Sequence, residues 1–258
     1  MIDSHCHLDL KEYNGRRDEV IAEAVRAGVH TLVNIGADLE SSRRSVALAE
    51  RFDSVYAAVG VHPHDAKTVD DNVLDELKKM TEHEKVVAIG EIGLDYYRDL
   101  SPRDVQRRAF VQQLELAVDL DMPIVIHTRE AFRDTVDIVR PYAPALVGGV
   151  FHCFPGNARE AKEVLDLGFH VSVGGRITYK NALSAVMATA VPLEKILLET
   201  DAPFLTPMPF RGKTNSPAYI PYICRKLAEL KGIDPAEVEK VTDRNTQKLF
   251  HLVETFGG

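Results

Sequence analysis

The 258-residue chain has no tryptophan and only three cysteines, Cys6, Cys153 and Cys224. Three thiols cannot all pair, so a disulfide scaffold is excluded and the cysteine usage fits a reducing compartment. No apolar run approaches the roughly 20 residues needed to span a bilayer. The first apolar run starts with the first residues, leaving no room for a cleavable leader, so the expectation is a cytoplasmic protein with no membrane partner. Basic residues are also in deficit, 31 Lys and Arg against 39 Asp and Glu for a net charge of −8. That balance argues against a surface that binds nucleic acid as a whole, and any polyanion has to be held locally. There is no internal repeat, low-complexity tract or linker-like stretch, which favours one domain over residues 1–258.

What the chain does have is eight short runs rich in Val and Ile, bounded by Gly, Pro or polar residues: 1–4, 30–35, 54–61, 86–89, 122–126, 146–151, 169–173 and 196–198. Helix-period segments fill nearly every gap. Ser101-Pro102-Arg103-Asp104 predicts a capped start for a helix ending near Leu120, and Asn157 with Glu160 repeats the reciprocal cap before a stop at Gly168. Arg16–Ala27 closes on Gly28, and Asp234-Pro235 with Glu237 opens a last helix to about Phe250. Eight alternations at roughly 30 residues each predict an α/β fold of the (β/α)8 TIM-barrel type. A doubly wound sheet is the alternative, but it would gather functional residues at one switch point.

Here they are spread over six runs. His5 and His7, His62, Glu91, His127, His152, and Glu199 with Asp201 each fall at the C-terminal end of an apolar run. In a barrel those ends converge on one mouth. Alternate strand residues share a face, so His5 and His7 point into the pore while Cys6 points toward the helices. Cys6 and Cys153 read as small buried apolar residues. Glu91, directly after a buried run, needs partners: either an ion pair with Arg98 or Arg129, or two divalent ions bridged by its two oxygens. His127 and His152 are natural ligands of the second ion. Asp201, nearer the mouth, reads as a ligand that also relays the proton of the attacking water. Glu199, one pleat deeper, reads as the group that fixes a ligand histidine's tautomer. His62 either caps the core or orients a substrate oxyanion, and His64 reads as solvated loop. His30, His83, His170 and His251 lie at strand starts or on helices, where stability or solvent is the default.

Taken together, His5-Cys6-His7-Leu8-Asp9, Gly60-Val61-His62-Pro63, Gly90-Glu91-Ile92-Gly93-Leu94-Asp95-Tyr96-Tyr97, His127-Thr128-Arg129, His152-Cys153-Phe154-Pro155-Gly156, Glu199-Thr200-Asp201-Ala202-Pro203 and Arg211-Gly212-Lys213-Thr214-Asn215 resemble, end to end, the TatD-type metal-dependent deoxyribonucleases of the amidohydrolase-like barrels. The resemblance implies a distorted (β/α)8 barrel, a pair of divalent metals, and hydrolysis of DNA phosphodiesters, with exonuclease trimming from the 3′ end in some members. It gives His5, His7 and Asp201 to one ion, His127 and His152 to the other, and Glu91 to both. No lysine ends a candidate strand, which sets the chain apart from barrels bridged by a carbamylated lysine. Phe210 stands where family members often have a histidine.

The donor set of nitrogen and oxygen without thiolate suits zinc, manganese or magnesium. Arg98, Arg129, Arg176, Lys180, Arg211 and Lys213 lie in the loops around the expected mouth and offer local phosphate contacts. Tyr96, Tyr97 and Tyr179 offer stacking surfaces, which favours single-stranded DNA or frayed ends as substrate, with no obligate protein partner. Two other functions fit the same ligands: an ester or amide hydrolase such as a D-aminoacyl-tRNA deacylase, and a non-catalytic metal-binding scaffold. The latter is disfavoured because ligands at a barrel mouth leave coordination positions open.

Overall fold

The β-branched runs form strands and the capped segments form helices, alternating as far as the eighth strand, in the computed structural model, which describes residues 1–252. The strands are β1 (Ile2–Cys6), β2 (Thr31–Ile35), β3 (Val55–Val59), β4 (Val86–Asp95), β5 (Ile124–Arg129), β6 (Gly149–Phe151), β7 (His170–Val173) and β8 (Ile196–Leu198). They make one sheet in chain order, and every neighbouring pair is parallel. The seam between β8 and β1 closes only beyond the end of β8. There Cys6 bridges to Ala202, the His7 amide donates to the Ala202 carbonyl at 2.8 Å, and the Asp201 amide donates to the His5 carbonyl at 2.9 Å. The barrel is therefore distorted on the side where His5 and His7 of the first strand meet Asp201 beyond the eighth.

Helices α1 (Arg17–Arg26), α2 (Leu39–Arg51), α3 (Asp71–Met80), α4 (Arg103–Asp119), α5 (Phe132–Val139), α6 (Ala158–Asp166) and α7 (Leu183–Ala190) follow the first seven strands, and α8 (Ile220–Lys231) and α9 (Pro235–Leu249) follow the eighth. The Asn157–Glu160 capping box is present, and Asp234 caps α9 with Pro235 at its first position. Ser101 does not cap α4 as its position predicted. Its hydroxyl donates instead to the His64 carbonyl at 2.8 Å, and Pro102 takes the cap position without a side-chain bond. Among the described residues no helix is long and apolar enough to cross a membrane.

Two apolar layers position the mouth. The larger lies between sheet and helices and includes Leu32, Val55, Ile89, Ile124, Phe151 and Ile196. The smaller contains Val33, Ala58, Ala88, Val125, Val150 and Leu197, closed off by Leu249 and Phe250. Val125, Val150 and Leu197 lie two residues before His127, His152 and Glu199, on the same face, so the smaller cluster is the barrel lumen beneath the polar mouth.

β4 is longer than the run at 86–89 predicted, continuing through Glu91 to Asp95. Its register against β5 shifts between Ile89 and Ile92, and the Glu91 amide leaves the ladder to donate to the Gly36 carbonyl at 2.9 Å. Two glycines permit this path. A Cβ at Gly90 would sit 2.6 Å from the Val125 Cβ, and one at Gly93, where φ is +140°, would sit 2.0 Å from the His127 carbonyl oxygen. β1 is likewise offset, running to Cys6, so that His5 lies within the strand and His7 just beyond it.

Candidate metal centre

Glu91, only 3% exposed, stands at the middle of the mouth. Its Oε1 is 2.8 Å from His127 Nδ1, 2.8 Å from His152 Nε2 and 3.6 Å from His62 Nε2. Its Oε2 faces the other side, 3.5 Å from His5 Nε2 and 3.7 Å from His7 Nε2. Asp201 Oδ1 lies 3.4 Å from His7 Nε2 and 3.8 Å from His5 Nε2. Neither Arg98 nor Arg129 pairs with Glu91 among the described residues, so the ion-pair alternative has no support. The four histidines expected as ligands thus meet around the Glu91 carboxylate, Asp201 stands beside two of them, and His62 joins the group.

The donor set fits cations. His5 Nε2 and His7 Nε2 face each other at 3.2 Å, as do His127 Nδ1 and His152 Nε2. Two imidazole lone pairs at that distance repel unless a proton or a cation lies between them. Compact groupings of ligand-type atoms occur at His5, His7 and Glu91, at His5, His152 and Asp201, and at His62, Glu91 and His127. Burial alone would raise the Glu91 carboxyl, but His152, His62 and His127 hold it well below the ordinary range. Asp201 is also held low, burial being outweighed by His7, His152 and His5. For His62, burial and the neighbouring charge of His127 push the imidazole well below its usual value. Two anionic carboxylates among mostly buried imidazoles make a pocket that favours divalent cations with nitrogen and oxygen ligands.

Surrounding groups aim the rings. The Ile35 carbonyl, an obligate acceptor, lies 3.0 Å from His7 Nδ1, so that nitrogen carries the proton and Nε2 keeps its lone pair for the centre. Glu199, fully buried, aims Oε1 at His152 Nδ1 at 3.6 Å, while its other oxygen accepts from the Ser172 hydroxyl. For His127 the aiming group is Asp95, whose role the linear sequence did not reveal. Its Oδ2 is 3.2 Å from His127 Nε2 and 3.0 Å from His64 Nε2, and its Oδ1 accepts from the amides of Tyr97 and Arg98. His64 is therefore tied to the centre through Asp95 and is not solvated loop. Its position two residues after His62, in the turn that follows β3, was the available signal.

The residues expected to contact substrate divide. Tyr96 is not free to stack, because its hydroxyl donates to Asp134 at 2.7 Å and Arg103 covers its ring at 4.3 Å. Tyr97 is 54% exposed, with the Arg129 guanidinium on one face at 3.8 Å. Arg98 is exposed beside it. Arg211 lies over Tyr179 at 4.7 Å and Lys213 near Phe210 at 5.9 Å. Phe210 itself stacks on Tyr219 at 4.3 Å and edges Tyr222 at 4.9 Å, forming an aromatic cluster. Cys6 is buried as expected, whereas Cys153 is only half-buried, at a backbone φ of +40°.

The sequence and the fold have relatives among known proteins. Residues 2–251 match the family described as TatD related DNase. An uncharacterised metal-dependent hydrolase of Bacillus subtilis, YabD, is 41% identical over 98% of this chain and 99% of its own length. The 3′-5′ ssDNA/RNA exonuclease TatD of Cronobacter sakazakii is 35% identical over 97% of each chain. The crystal structure of YjjV, a TatD homologue from Escherichia coli, superposes with a TM-score of 0.92 at 32% identity, covering 98% of both chains. The chain therefore belongs to the TatD-related DNase family of metal-dependent hydrolases.

Proposed function

We propose that this hydrolase cleaves phosphodiesters of single-stranded DNA, removing nucleotides from the 3′ end, with two divalent ions (zinc, manganese or magnesium) at its mouth. The observation that carries this reading is Glu91, whose two oxygens face two separate histidine sets, His127 and His152 on one side and His5 and His7 on the other. His5, His7 and Asp201 would hold one ion, His127 and His152 the other, and Glu91 both. Such a pair, when bound, supplies hydroxide at neutral pH and offsets charge on the phosphoryl oxygens.

The chain's own side chains do the rest. Asp201 is the more accessible of the two carboxylates, its side chain 14% exposed against 4% for Glu91, and it accepts the proton of the attacking water. His62 Nδ1 accepts from the His64 amide at 3.2 Å, so its neutral ring carries the proton on Nε2, the atom 3.6 Å from Glu91. That N–H is placed to orient a phosphoryl oxygen or the departing alkoxide. Arg129, Arg98, Arg211 and Lys213 provide cations on an otherwise acidic protein, where the strand's flanking phosphates would lie.

A concave barrel mouth admits a frayed or single-stranded end more readily than an interior phosphate of a duplex. The test uses manganese-loaded protein with a 5′-end-labelled linear single strand, its internally labelled closed circular counterpart, and a D-aminoacyl-tRNA. Stepwise shortening of the linear strand with the circle left intact supports the proposal. Equal cleavage of circle and linear strand refutes end selection. Release of the amino acid without attack on either DNA replaces the reading with a deacylase.

A further inference from the structure

We infer that Phe204 is a base-stacking residue, and that with Tyr97 it brackets the centre so that the bases on the two sides of the scissile phosphate are both held unpaired. The inference rests on the nuclease reading above and adds the part of the substrate that the metal ligands cannot recognise.

Phe204 is 49% exposed, yet it is not a loosely held surface residue. Its amide donates to the Asp201 carbonyl at 2.8 Å, and its carbonyl accepts from the side chain of buried Asn215. The backbone is thus fixed on both sides of an aromatic ring left in solvent. An exposed apolar side chain by itself needs no explanation. This one lies 6.2 Å from the His7 imidazole, ring centroid to ring centroid, inclined at 63°. It therefore stands beside the His5, His7 and Asp201 side of the centre without taking part in it. A planar apolar surface next to a phosphate-binding centre matches a nucleoside, in which a flat base hangs from the sugar that carries the phosphate. Stacking on an aromatic ring is also tolerant of base identity.

Tyr97 occupies the opposite rim. It follows β4 and is backed by Arg129 at the end of β5, whereas Phe204 follows β8 and leans on a residue that follows β1. In an eight-stranded barrel ordered by sequence, the β8–β1 and β4–β5 positions lie across the mouth from each other. Two exposed rings with the centre between them define a register of base, phosphate, base.

The test compares three linear single strands that differ only at the 3′ end: intact, with an abasic sugar as the last nucleotide, and with an abasic sugar as the penultimate one. Wild-type protein should lose kcat/KM on both abasic strands, by roughly 5- to 150-fold for each stacked base removed. Phe204→Leu should abolish the penalty at one of the two positions and Tyr97→Leu at the other, while both variants bind metal as the wild type does. A 2-aminopurine at the position assigned to Phe204, next to a phosphorothioate that slows hydrolysis, should be quenched on binding wild type and not on binding Phe204→Leu. Penalties that persist in Phe204→Leu, or an equal fall on all three strands, overturn the stacking role while leaving the nuclease reading intact. Failure of the wild type to cleave the intact strand refutes the nuclease reading and this inference with it.

Discussion

Replacing Asn215 with alanine tests how the loop beyond β8 holds Asp201. Asn215 is buried, and its amide nitrogen donates to the carbonyls of Thr200, at 2.9 Å, and of Phe204, while its oxygen accepts from the Ser216 amide at 2.9 Å. One side chain thus ties together the two residues that flank the turn through Asp201, Ala202 and Pro203. Asn215→Ala removes all three bonds and strands the Thr200 and Phe204 carbonyls. At about 1 kcal/mol per lost bond, plus the cost of leaving buried acceptors unpaired, the loss is about 2–5 kcal/mol. In a chain of this size that corresponds to a melting temperature lower by roughly 5–15 °C. Urea denaturation of the metal-free protein measures it. Asn215→Asp separates bonding from packing, because it keeps the volume and the acceptor for Ser216 but turns a second oxygen toward two carbonyls. It should destabilise at least as much as alanine. If Asn215→Ala costs less than about 1 kcal/mol, or if aspartate is tolerated, the side chain is not what holds the turn.

Asp95→Ala should weaken the ion held by His127 and His152 by roughly 10–100-fold in calorimetric titration and leave the other largely unchanged. Asp95→Asn, which still accepts from His127 Nε2, should recover most of that affinity, and equal weakening of both ions would contradict the assignment. At the far end of the barrel, burial and the charge of Lys195 push His170 down to about 4 from its usual 6.5. Between those values the unfolded chain binds more protons than the folded one, so His170 makes stability fall as pH drops from 6.5 to 4, by on the order of 3 kcal/mol. His170→Gln should show a shallower decline across that window in denaturant titrations, and an unchanged slope would refute the shift.

The barrel was legible because each strand carries its own signal in a short β-branched run, and parallel strands in chain order bring their C-terminal ends together whatever the loops do. The convergence of His5, His7, Glu91, His127, His152 and Asp201 follows from that topology alone. The path of β4 did not. Gly90 and Gly93 read locally as a strand end, but they are needed where the chain passes against Val125 and the His127 carbonyl, a contact that only the paired strand reveals. Asp95 was hidden for the same reason, since its partners lie elsewhere in the chain, His64 in the turn after β3 and His127 within β5. Tyr96 and Tyr97 are adjacent and alike in sequence, yet one is tied by Asp134 and Arg103 and the other is left open. That difference is set by α4 and α5 packing on the mouth. Phe204 looks in sequence like one more apolar residue after a proline, and only its exposure beside His7 marks it out.

Whether one carboxylate joins two ions can be read from metal content. Wild type and Glu91→Ala, each loaded with manganese or zinc and freed of excess, are compared by elemental analysis, with circular dichroism to show that the barrel is retained. The expected result is two ions per chain in the wild type and neither in the variant, because Glu91 faces both histidine sets. A folded Glu91→Ala that keeps one ion at full occupancy would contradict the bridging role.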